Sequence, residues 1–268
     1  MNLSLPAKLS LRVVALAYLG VLLLLPIAVI LWRTFERGIG AFIDSITTPA
    51  AISALNLSLT ILLIVVPLNV IFGVVTAIAL VRGRFPGRRI LQSVVDLPFA
   101  VSPVVVGVSL VLLWGVNGWF GGLESLGIKV IFSLPGMVLA TIFVTLPFVV
   151  REVEPVLHEI GDDQEQAAAT LGASGWQTFW RVTLPAIRWG LTYGVILTVA
   201  RSLGEFGAVI IVSSNFAGSS QTLTLLVHSR YHEAREFDAY AAATLLMGLA
   251  LITLLLMTLL DRKKGVSK

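Results

Sequence analysis

Cysteine is absent from the 268 residues, which excludes disulfides, thiolate metal sites and cysteine nucleophiles. Histidine is scarce as well, three residues in all, and leaves little for a metal centre. Only 13% of residues are charged, against roughly a quarter in soluble domains. Nowhere does the chain carry the G-x-x-x-x-G-K-[ST] loop that cradles nucleotide phosphates, so it is not expected to hydrolyse ATP itself. There is also no aromatic-basic stretch to bind nucleic acid, although a net charge of +4 and a pI near 9.7 would suit one.

What is abundant is apolar surface: 57% of residues are hydrophobic and the mean hydropathy is +0.94. A water-soluble fold has no way to cover that much, and the apolar residues run in stretches long enough for a bilayer to solvate them. The expectation is an all-α integral membrane protein with about six transmembrane helices, one membrane domain over residues 1–268. The spans fall near 11–32, 57–81, 90–114, 134–150, 189–213 and 240–260, with a charged loop over 151–188. The first span exceeds a signal-peptide core in length and is read as a retained helix; Ala15-Leu16-Ala17 lies inside it, not after it. The third holds Asp96, Pro98, Ser102 and Pro103, which predicts a kinked or partly unwound helix packed inside the bundle.

Lysine and arginine fall unevenly on the two sides. With the N-terminus inside, thirteen of the 19 lie on the cytoplasmic side. They include Lys8, the run Arg82, Arg84, Arg88 and Arg89, three in the 151–188 loop, and Arg262 to Lys264 with Lys268. Five lie outside, and Arg201 lies within a span. The bias puts both termini and the 151–188 loop in the cytoplasm.

In that loop Asp162, Asp163 and Glu165 precede a run of good helix formers, as suits the positive end of a helix, and Gly172 ends it. Ser174 then caps a second helix with Trp176, Phe179 and Trp180 at helical spacing, and Pro185 stops it. The small side chains of Ala167, Ala168 and Ala169 would let another protein's surface approach the backbone closely.

This segment resembles the loop signature of permeases in the ATP-binding-cassette importers: E-A-A, three residues, Gly, nine residues, I-x-L-P. Gln166-Ala167-Ala168, Gly172 and Val182-Thr183-Leu184-Pro185 stand in its places, with Gln166 for the glutamate, beside which Glu165 stands, and Val182 for the isoleucine. Leu97 to Gly107, Phe143 to Glu152 and Arg201 to Ala208 extend the likeness over most of the chain, toward sulfate and thiosulfate permease subunits of the W type. The resemblance implies that Glu165, Gln166, Ala167, Ala168, Gly172, Leu184 and Pro185 seat on an ATPase subunit. It also implies a second homologous permease, a dimer of ATPase subunits holding ATP and Mg, an extracytoplasmic sulfate-binding protein, and a place in a bacterial cytoplasmic (inner) membrane. No cofactor or metal is expected on this chain.

Arg201 and Glu205, four apart in the fifth span, share a helical face where a charge costs at least about 2.5 kcal/mol. They read either as part of an anion path or as a self-neutralising structural pair. Asp96 reads as a path residue or an interfacial cap; Ser102 stands beside the prolines that free backbone N–H groups. Gly190, Gly194, Gly204 and Gly207 read as sites of close helix approach. His228, His232, Glu233 and Glu236 form the last outer loop, better suited to touching a solute-binding protein than to holding a metal. Rival readings are a molybdate or tungstate permease of the same kind, an ion-coupled secondary transporter, and a membrane enzyme.

The orientation is directly testable because the chain has no cysteine of its own. A membrane-impermeant maleimide should label Lys129→Cys in intact spheroplasts and Gln164→Cys only after the membrane is opened. The reverse pattern would put the 151–188 loop outside.

Overall fold

A computed structural model describes residues 5–265; Lys268 of the charge count lies outside them. Among the described residues the regular elements are all helical. The first is α1 (Leu5–Leu19), which passes through a π turn at Gly20–Leu24 into α2 (Leu25–Phe35); its most apolar stretch is not buried against the rest of the chain. Thr34 at its end is buried, and its hydroxyl meets that of Thr244 at 2.8 Å. A short amphipathic α3 (Gly38–Ile46) follows.

The second span is longer than its apolar core: α4 runs Pro49–Arg82. Thr48 caps it by accepting from the Ala51 N–H at 3.4 Å, and Pro49 sits where a missing N–H costs nothing. The third span is broken into α5 (Arg88–Ala100) and α6 (Pro103–Trp114), whose axes differ by 114°. Pro103 pushes Ser102 into an extended conformation, with ψ near 134°, and the helix cannot continue through it. Among the described residues five helices are long and apolar enough to cross a membrane, six if this bent pair counts as one span.

Past a connecting segment with the one-turn α7 (Gly122–Ser125), α8 runs Leu134–Ile160, ten residues beyond the expected end of span four. Arg151 and Glu154, which look like loop in a hydropathy trace, pair with each other on the helix at 3.3 Å. The helix ends at Gly161, where φ is +62°. The 151–188 loop therefore shrinks to α9 (Asp163–Thr170) and the residues around it. Next, α10 (Gly175–Thr178) passes through a π turn at Phe179–Thr183 into α11 (Leu184–Leu203). That helix stops ten residues short of the expected end of span five. A single-turn α12 (Val209–Val212), α13 (Leu223–His232) and the long α14 (Glu236–Gly265) complete the chain.

The core is formed where α4 and α11 both pack on α8. A Cβ at Gly73 would meet the Val149 side chain at 2.7 Å, and one at Gly194 would meet the Val149 backbone at 2.9 Å. Around these contacts Ala77, Leu80, Val149, Val150, Val153, Leu157 and Ile187 are almost wholly buried. A buried Asn69 donates to Thr145 at 2.7 Å and ties α4 to α8 at mid-helix. Gly190 and Gly207 also mark close approaches, but Gly204 does not: nothing lies nearer than 3.8 Å to where its Cβ would be.

Gly194→Val should force α8 and α11 apart and lower stability by about 1–3 kcal/mol. Gly204→Ala should be tolerated. Thermal unfolding of the two purified variants in one detergent measures the difference.

Candidate functional site

The loop between α8 and α11 is built as a rigid bracket. The α9 helix carries Asp163 and Glu165 in its first turn, and the Gln166 amide donates to Asp162 at 2.8 Å. It closes at Gly172, with φ +84°, where the Ala173 N–H reaches back to the Ala168 carbonyl at 3.0 Å. Ser174 and Gln177 then form a reciprocal capping box that starts α10.

Glu165 does not face outward as the docking reading expects. One carboxylate oxygen accepts from Arg82 Nε at 2.9 Å, and the other from the buried Thr183 hydroxyl at 2.8 Å. The same Arg82 donates to the carbonyls of Leu157 at 3.1 Å and Gly161 at 2.5 Å. One guanidinium thus joins the C-terminal ends of α4 and α8 to α9, and Glu165 carries the link on to the π turn before α11. The carboxylate is a brace, because its partners on the bundle side are cationic and hydroxylic and use both oxygens.

Outward lie Gln166, Ala167, Gly172 and Pro185, all exposed, with Ala168 half-buried; Leu184, expected with them, packs instead against the buried cluster of α4, α8 and α11. Ala167, Ala168 and Pro185 line a groove of about 630 Å³ with Leu171, Arg181 and Arg188. Leu171 is 89% exposed at its rim and Trp176 71% exposed nearby, against Trp180 edge-on at 5.5 Å. Leu171 escaped the sequence reading; its place between the last helical turn and Gly172 is the signal, since a side chain there has no helix of its own to lie on.

The charges at depth form two separate groups. Arg201 meets Glu205 at 2.7 Å, as their spacing predicts, yet Glu205 lies beyond the end of α11, so the two do not share a helical face. Glu205 is buried; its other oxygen accepts from the Ala208 N–H at 2.9 Å, and its carbonyl accepts from Thr224. It holds the turn that leads into α12, while a third of the Arg201 side chain stays open. Asp96 is not a cap: α5 is capped at Gly87 and begins at Arg88, and Asp96 lies well inside the helix, gripping Arg151 through both oxygens, with Arg151 Nε at 2.9 Å. Arg151 in turn reaches Glu154 at 3.3 Å.

Since Gly194 packs at Val149, Arg201 and Arg151 stand about 13 Å apart along the antiparallel pair of helices. Ser102 is exposed at the α5–α6 break, its hydroxyl making no cap. The adjoining Pro103 lies under Gly207, where an added Cβ would meet it at 3.0 Å, so the break of the third span touches the turn that Glu205 holds. His228 and His232 lie on α13 and not in a loop; their rings are 4.3 Å apart, and Phe206 is 5.0 Å from His228.

Residues 69–266 match the family model described as the binding-protein-dependent transport system inner membrane component. The chain is 51% identical over 253 residues to the sulfate transport system permease protein CysW of Synechococcus elongatus, covering 94% of this chain and 88% of the relative. To the sulfate transport system permease protein CysT of Escherichia coli it is 36% identical, covering 94% and 91%. A bacterial ABC transporter involved in the import of the acidic polysaccharide alginate has the same fold, with a TM-score of 0.80 at 18% identity, covering 96% of this chain and 95% of that one.

Removing either partner of the Arg82–Glu165 pair should loosen α9 without unfolding the bundle. Arg82→Gln and Glu165→Gln should each cost about 1–3 kcal/mol, and the double variant less than their sum. Amide hydrogen exchange across 161–174 should speed up in both, while that of 136–150 stays unchanged.

Proposed function

The chain belongs to the family of binding-protein-dependent transport system inner membrane components, and from that premise we propose that it is the permease subunit of an ATP-driven importer that carries sulfate, and thiosulfate with it, across a cytoplasmic membrane. The observation that carries the coupling is the bracket of α9, braced by Glu165 on the bundle side and bare on the other. A dimer of ATPase subunits seats on the bare face at Ala167, Ala168, Leu171 and Pro185. ATP binding displaces α9, and Arg82 passes that displacement to α4 and α8 together, because it is bonded to all three. Half of the pathway comes from this chain and half from a second permease of the same descent; the likeness to both CysW and CysT supports a pair of unlike subunits. A binding protein outside delivers the anion, in keeping with the family's description.

Within the membrane the anion path runs past Arg201 and the exposed Ser102 at the α5–α6 break. A guanidinium suits a tetrahedral oxyanion because its planar fork donates two parallel bonds. Glu205 positions Arg201 and lowers its net charge, so that the anion is passed on and not trapped. Asp96, held by Arg151 nearer the inner face, serves as a second station where the anion meets a cation already shared with carboxylates. Both termini lie in the cytoplasm.

Labelled sulfate uptake by the reconstituted complex, with an ATPase copurifying, tests this reading. Thiosulfate in excess should compete strongly and molybdate or tungstate weakly. Arg201→Gln should cut uptake by at least about tenfold in a complex that assembles in normal amounts, whereas a merely structural pair would cost abundance. Uptake that survives ATP depletion with ion gradients intact would overturn the importer, and preference for molybdate would overturn the substrate.

A further inference from the structure

The turn from α4 to α5 holds four arginines in eight residues, and only Arg82 has a carboxylate partner. Among the described residues Arg84, Arg88 and Arg89 pair with none; Arg84 and Arg89 are exposed and Arg88 is half-exposed. Arg88 and Arg89 also occupy the first turn of α5, where no acidic residue stands and the helix dipole disfavours cations. Flanking them are apolar side chains left open: Phe85 at 40%, Ile90 at 70% and Val94 at 55% exposure, the last two on one face of α5.

The charge bias that orients a membrane chain requires basic residues on this side. It does not require them to lack carboxylates, nor to be bordered by exposed Ile and Val. The patch directly follows the last turn of a 34-residue apolar helix and opens the next membrane segment, so it sits within a side chain's length of the bilayer surface. That position selects a lipid as occupant: a phosphodiester accepts paired guanidinium bonds, and its acyl chains cover Ile90 and Val94.

We propose that Arg84, Arg88 and Arg89 form a binding site for the headgroup of anionic phospholipid in the inner leaflet, with Ile90 and Val94 against its chains. The site rests on the cytoplasmic placement of the α4–α5 turn given above. It gives the cationic first turn of α5 the anionic partner that no carboxylate supplies among the described residues, and each arginine near such a surface strengthens binding by about fivefold.

The test uses the full complex in lipid nanodiscs, with a fluorophore on Ser93→Cys, an exposed position outside the arginine cluster. Spin-labelled phosphatidylglycerol should quench the fluorophore at a mole fraction at least about fivefold below that needed with spin-labelled phosphatidylcholine. The preference should vanish in R84Q/R88Q/R89Q, persist in R84K/R88K/R89K, which keeps the orienting charge, and fade as sodium chloride is raised. Inorganic phosphate should not relieve the quenching.

Equal quenching by the two lipids would overturn the proposal, as would a preference untouched by the glutamine changes. Relief by inorganic phosphate would mean a free-anion site, and a fluorophore reached by neither lipid would mean a protein partner covers the turn; either overturns it. Should the glutamine variant fail to assemble, the salt titration of the unsubstituted chain decides. Labelling of Ser93→Cys in open against sealed membranes reports the orientation separately, and quenching requires no transport, so failure of the site is distinct from failure of the transport reading.

Discussion

Everything in this fold hangs on the closeness of α4 and α11 to α8. In hydrocarbon no hydrophobic force drives helices together, so association depends on how near the backbones come and on the few polar bonds between them. Gly73 and Gly194 both meet Val149, and Asn69 bonds Thr145 one turn away. This three-helix seam carries the C-terminal ends of α4 and α8 to one place, where Arg82 can reach α8 and α9 at once. Without the seam there is no brace, and without the brace a push on α9 moves only α9.

The helical membrane architecture was legible from hydropathy because lipid as a solvent leaves a long-range compositional record. The ends of the helices were not. Arg151 and Glu154 ended the apolar run of span four, but backbone helicity has no reason to stop where polarity begins, and the two side chains satisfy each other along the helix. Span five failed in the opposite sense: residues 204–213 are apolar enough to read as membrane, yet the chain turns at Gly204 and needs Glu205 to hold the turn. The proline pair of span three was visible as trouble; its 114° bend was not, because a bend angle depends on what the two arms pack against.

At the candidate site the loop motif was readable in order and spacing, while the direction of each side chain was not. Glu165 belonged by position with the docking residues; a helix of eight residues turns one side to the bundle, and only the location of Arg82, 83 positions earlier, shows which. The same holds for Asp96, whose partner lies 55 residues on. Long-range ion pairs leave no local mark in a sequence, whereas caps such as Ser174 with Gln177 do, since both members lie within one turn.

The π turn at Phe179–Thr183 has a geometrical outcome for the helix that runs from this loop into the bundle. From Thr183 onward the inward stripe runs through Ile187, Gly190, Gly194 and Thr198. Traced back at the ordinary helical pitch, that stripe would bring Trp176 against the bundle. The residue inserted by the π turn offsets the azimuth by about 100°, so Trp176 is turned out and lies open while the far end of the helix keeps its seat on α8. One continuous rod therefore presents two faces out of phase, and a twist of its open end about the rod's own axis is a rotation of the Gly194 face against α8.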